Sequence, residues 1–66
     1  MTQEQLIRTI EQRLEDLTFL DNDLAYQYEC DLYYDCNDDE EPQRIVEMFT
    51  PQLLQELESH IEELDQ

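Results

Sequence analysis

The sequence predicts an all-α fold, three or four short helices in a small bundle. Three observations carry this expectation. Apolar residues recur at helical spacing in both end segments, capping residues stand in front of each, and no glycine is present to close a tight hairpin.

The first helix is expected over about residues 3–19. Thr2 and Gln5 form a T-x-x-Q capping box. Behind it Leu6, Ile7, Ile10, Leu14 and Leu17 make one apolar stripe, while Glu11, Gln12, Arg13, Glu15 and Asp16 cover the opposite side. The run Asp21-Asn22-Asp23 offers several N-cap side chains and breaks the chain there.

Residues 26–36 fit two periodicities. Tyr26, Tyr28, Cys30, Leu32, Tyr34 and Cys36 alternate with polar neighbours as in a half-buried strand. Leu24, Ala25, Tyr28, Leu32 and Cys36 also form a helical stripe. A strand would need 44–49 as its partner, and that segment does not alternate. The helix is therefore favoured, and an α+β arrangement, α-β-β-α with 26–36 as a strand, is the alternative.

Pro42 opens a short segment in which Ile45, Val46 and Phe49 share a helical face. The last helix is expected over 51–64, with Thr50 as N-cap and Pro51 at the first helical position, where its missing N–H costs nothing. Leu53, Leu54, Leu57, Ile61 and Leu64 form its stripe.

A chain of 66 residues makes one small acidic domain, residues 1–66. Domains of this size bury only about 60% of their unfolded surface, so stability margins are thin. No run of about 18 apolar residues could span a bilayer. No basic segment followed by an apolar one marks a signal peptide, so the expected compartment is cytoplasmic. Cys30 and Cys36 cannot bridge each other within one regular element, since neither helix nor strand brings them to the separation a disulfide needs. They are expected as small buried apolar residues.

Charge is the extreme property. Nineteen Asp and Glu oppose three Arg and no Lys, a formal net charge of -16. The spacing pairs Arg8 with Glu4 or Glu11, Arg13 with Asp16, and Arg44 with Glu40 or Glu47. With no basic patch remaining, direct binding to nucleic acid or to an anionic membrane is excluded.

The carboxylates do not spell a dedicated metal site. A calcium loop started at Asp35 places Asn37 and Asp39 correctly, but Glu40 stands where glycine is required and Val46 where a bidentate Glu belongs. One started at Asp21 fails at Ala25 and Leu32. A non-specific divalent-ion binder is the weakest of the readings considered. His60, with Glu56 and Glu63 nearby, lacks the Glu-x-x-His spacing of di-iron bundles, and is expected to complement a helix C-terminus. No cofactor is implied.

An enzyme is not expected. The carboxylates around Cys30 and Cys36 oppose thiolate formation, and no nucleophile–base pair is visible.

Solubility alone accounts for a net charge of roughly 2–8 in a small domain. The surplus also works against folding. Glu62, Glu63 and Asp65 lie at a helix C-terminus, and Glu11–Glu15, Asp31–Asp35 and Glu58–Glu62 would be like-charge pairs. A halophilic origin would also favour acidity; the lack of lysine fits it, the cysteines and bulky aliphatics less so. A compact chain this long measures about 28 Å across. That length of duplex DNA carries about 16 phosphate charges.

In size and charge the chain resembles the small acidic proteins that mimic nucleic acid, many of them phage or mobile-element products. The resemblance implies an inhibitor or regulator of a basic protein, such as a nuclease, restriction enzyme, CRISPR effector or transcription factor. No motif carries residues over from such proteins. The candidate partner-binding residues come from the acidic run itself: Asp31, Asp35, Asp38, Asp39, Glu40 and Glu41, with Tyr33 and Tyr34 as aromatic anchors. The competing expectation is a small helical adaptor or assembly subunit, with homodimer formation open, whose acidity serves only solubility. Four tyrosines exceed what so small a core can hide, so one or two should be exposed.

Overall fold

The computed structural model describes residues 2–34 and 43–65. Helix α1 spans Gln3–Leu20, α2 Asn22–Leu32 and α3 Pro51–Leu64, with a 3-10 turn at Val46–Met48 before α3. The fold is all-α, a small helical bundle in which α1 packs against both α2 and α3.

Each helix starts where its cap dictates. The Thr2 hydroxyl accepts from the Gln5 N–H at 3.2 Å while the Thr2 N–H donates to Gln5 Oε1 at 3.1 Å, completing the capping box. Thr50 Oγ1 accepts from the Leu53 N–H at 3.2 Å, with Pro51 behind it.

Asp21 serves two helices. Its N–H donates to the Leu17 carbonyl at 2.7 Å and closes α1. Its carboxylate accepts from the Leu24 N–H at 3.2 Å and opens α2. Its carbonyl then accepts from the Ala25 N–H at 3.1 Å. One extended residue thus makes the whole corner between α1 and α2.

The core follows the helical stripes. Leu6, Ile7, Ile10, Leu14 and Leu17 are buried on α1, Ala25 and Leu32 on α2, and Phe49 and Leu57 complete the cluster. Leu24, Tyr28, Tyr33, Leu53, Leu54 and Ile61 pack around it, half-buried. Leu64, expected in the α3 stripe, is exposed at the helix end.

The 26–36 strand is not what forms. The chain is helical to Leu32 because a helix buries Ala25 and Leu32 together against α1. Among the described residues the pairing is a single antiparallel bridge between Tyr33 and Arg44. Around it the Ile45 N–H donates to the Leu32 carbonyl at 2.8 Å, and the Tyr34 N–H to Gln43 at 3.4 Å.

Two further expectations are corrected. Cys30 is exposed, not buried. At about 100° per residue it lies roughly 160° around α2 from Leu32, on the far side from the core. Cys36 lies outside the described residues. Val46 is also exposed, because the segment forms a 3-10 turn that leaves it outward while Phe49 is buried and Ile45 half-buried.

Candidate functional site

Most of the acidic run, Asp35, Asp38, Asp39, Glu40 and Glu41, lies outside the described residues. Its flanks are described, and they are tied together. The bridge between Tyr33 and Arg44 is reinforced by the Tyr34 hydroxyl, which donates to Gln43 Oε1 at 2.7 Å. The residues just before and just after positions 35–42 therefore form one fixed pair.

Of the other candidates, Asp31 is exposed near the end of α2. Tyr34 is 63% exposed and presents its ring to solvent. Tyr33 has a different setting. It is half-buried, its ring meets Phe49 edge-on with centroids 6.1 Å apart, and its hydroxyl donates to Glu11 Oε2 at 2.7 Å. Burial, then the bond to Glu11, pushes its pKa well above the ordinary tyrosine value. The phenol is thus held neutral and keeps its donor role. Tyr26 is exposed as well, so two of the four tyrosines are on the surface.

All three arginines are engaged with carboxylates. Arg8 Nη2 is 3.5 Å from Glu4 and Arg13 Nη1 is 2.9 Å from Asp16, both on α1 as the spacing implied. Arg44 reaches Glu11, with Nε 3.4 Å from Oε2, while Glu40, one of the two partners the spacing offered it, lies outside the described residues. The bridge to Tyr33 brings Arg44 over α1, which local spacing could not reveal. Glu11 thus collects both the Tyr33 hydroxyl and the Arg44 guanidinium on one oxygen.

His60 does not act at a helix terminus. It precedes the last turn of α3, and its Nε2 lies 3.1 Å from the Tyr28 hydroxyl, the rings 5.9 Å apart. Burial, with Glu56 and Asp31 adding to it, raises the Tyr28 pKa. Among the described residues no group of three or more His, Cys, Asp or Glu is placed to hold a metal ion.

Sequence reasoning missed one surface feature. A groove of about 210 Å3 is lined by Leu14, Thr18, Phe19 and Tyr33 with Glu11, Glu15 and Glu29. Phe19 is 83% exposed, the most exposed large apolar residue described. Its signal was present in the sequence, because Phe19 falls off the stripe of Leu14 and Leu17 at the end of α1.

Every described helix carries exposed carboxylates, including Glu4 and Glu15 on α1, Asp23 and Asp31 on α2, and Glu58 and Glu62 on α3. No described helix is long and apolar enough to cross a membrane. What these features define is a small helical, strongly anionic protein. No family model, curated protein or solved structure matches the chain.

Proposed function

We propose that this chain is a non-enzymatic acidic binding protein that mimics nucleic acid and occupies the binding site of a basic nucleic-acid-binding protein. The carrying observation is a net charge of -16 in which each of the three arginines is already engaged by a carboxylate of the same chain. The outward field is therefore anionic, with no cationic patch to balance it.

Dimensions support the same reading. The chain has a radius of gyration of 11.7 Å and extents of 36 × 28 × 14 Å. Duplex DNA as long as its two larger dimensions carries roughly 16–21 charges. A groove built to release counterions from phosphates would meet a comparable number of anions here.

The target class is a nuclease, restriction enzyme, CRISPR effector or transcription factor, and the place of action is the cytoplasm. Such inhibitors are typical products of phages and mobile elements. Asp31, Tyr34 and the acidic run 35–41, bracketed by Tyr34 and Gln43, form the proposed contact, with Tyr33 as the inner anchor.

The test is capture from a lysate of the source cells, with elution by rising salt and by competing duplex DNA. The expected captives are nucleic-acid-binding proteins displaced by duplex and released steeply between low and moderate salt. Replacing Asp35, Asp38, Asp39 and Glu40 by Lys is expected to abolish capture without loss of helical circular dichroism. Captives that hold through high salt and ignore duplex DNA would overturn the proposal.

The exposure of Phe19 favours a second reading, a helical adaptor or self-associating subunit held by apolar contact. Such an interface would respond little to salt, so the same elution separates the two.

A further inference from the structure

We propose that the groove between α1 and α2 receives one aromatic side chain carried by a basic partner. The inference rests on the acidic-binder reading above and names one contact within it.

The groove asks nothing polar of its guest. Tyr33 and Arg44 both engage Glu11, and Glu29 is half-buried with a partner of its own. The Thr18 hydroxyl donates to the Leu14 carbonyl at 2.8 Å, and Glu15 is exposed to water. Among the described residues no buried side-chain nitrogen or oxygen lacks a hydrogen-bond partner. The exposed lining is mostly apolar, so an apolar guest strands no buried polar group.

Size and lining narrow that guest. At about 210 Å3 the groove falls below the roughly 300–1,000 Å3 of small-molecule pockets, which suits a single side chain. Phe19 and Tyr33 both line it, and Phe19 is 83% exposed. Aromatic rings attract one another beyond the area they bury, and aromatic side chains are the common anchors of interfaces.

Charge narrows what carries the ring. A net charge of -16, with each arginine engaged by a carboxylate, favours the approach of a cationic surface. A second copy of this chain would bring another -16 to the contact. The carrier is therefore basic; its cations stay in the anionic field outside the groove while its ring covers Phe19.

The probe is a heptapeptide with one tryptophan between two runs of three lysines, titrated into the full chain at about 0.15 M salt. This chain contains no tryptophan, so the emission reports the guest alone. A blue shift is expected on binding, as the ring leaves water. Replacing that tryptophan by alanine keeps the peptide's charge and should weaken binding roughly ten-fold, read by competition. Phe19→Ala should weaken it by roughly the same factor, with unchanged circular dichroism because Phe19 buries little surface. A tryptophan peptide with serines in place of the lysines should bind far more weakly.

If the emission does not shift, the alanine peptide competes equally and Phe19→Ala has no effect, charge alone holds the peptide. The groove inference then falls while the acidic-binder reading stands. Equal binding of the serine peptide would remove the need for a basic carrier and overturn the proposal. Self-association of the free chain that Phe19→Ala abolishes, read by sedimentation, would give the groove to a second copy and overturn it too. If neither lysine peptide binds even at low salt, the acidic-binder reading falls, and the groove inference with it.

Discussion

The Tyr33 hydroxyl donates to Glu11 Oε2 at 2.7 Å, joining residues 22 positions apart. This contact pins the chain after α2 onto the middle of α1, and Arg44 reaches the same carboxylate from the bridge. Removing the hydroxyl by Tyr33→Phe keeps the ring against Phe49 and leaves Glu11 its partner Arg44. The expected cost is about 1 kcal/mol, read as a lower urea midpoint at unchanged slope. An unaltered midpoint would show that the bond contributes nothing net.

The same contact sets an alkaline limit. Folding raises the Tyr33 pKa above its ordinary 10.0, so the fold favours the neutral phenol. That contribution is complete below pH 10 and is lost as pH climbs from there toward the folded value. Tyr28, shifted in the same direction, adds to the trend. Wild-type stability is expected to fall above pH 10, and Tyr33→Phe to flatten the fall; parallel pH profiles for the two proteins would refute the assignment.

Helix α3 holds to the bundle chiefly through Leu57, its one buried residue, with Leu53, Leu54 and Ile61 half-buried beside it. Leu57→Ala removes a fully buried side chain and is expected to cost about 2–5 kcal/mol. In so small a domain that loss should lower the melting temperature by roughly 10 °C or more. Thermal circular dichroism checks it; a melting temperature within a few degrees of wild type would contradict the packing described.

The Asp21 carboxylate caps α2, and Asp21→Ala leaves the Leu24 N–H without it. The expected destabilisation is about 0.5–2 kcal/mol, and Asp21→Asn should restore most of it because its side-chain oxygen can cap equally well. Equal losses in both variants would point to charge instead of capping.

The last turn of α3 contains no basic residue, while Glu62 and Glu63 occupy it against the helix dipole. Glu62→Lys removes one such repulsion and replaces the like-charge contact with Glu58 by an attractive pair. Stability should rise by about 0.5–1 kcal/mol at low salt and by less at 1 M. A decrease would show that the carboxylate serves the fold, against the reading that it serves a partner.

How much the sequence disclosed depended on the range of each interaction. The caps at Thr2, Asp21 and Thr50 and the stripes of α1 and α3 involve residues three or four apart, and they were legible. Residues 26–36 carried two periods at once, and only packing against α1 decides for the helix. Arg44 could be matched in sequence only to Glu40 or Glu47, whereas its partner Glu11 arrives through the fold. His60 likewise finds Tyr28 across 32 positions, a pairing no local pattern announces. The surplus of anions was legible as composition, but the groove beside Phe19 needed α1 and α2 to be placed side by side.

The corner at Asp21 has a practical consequence. A protease must draw several residues of backbone into its cleft, and an inserted tag needs a comparable slack stretch. Here a single residue, with its amide, carbonyl and carboxylate all committed, separates two helices. Nicking or splicing at that point would sacrifice the end of one helix and the start of the other together, so α1 and α2 are inherited as one indivisible unit.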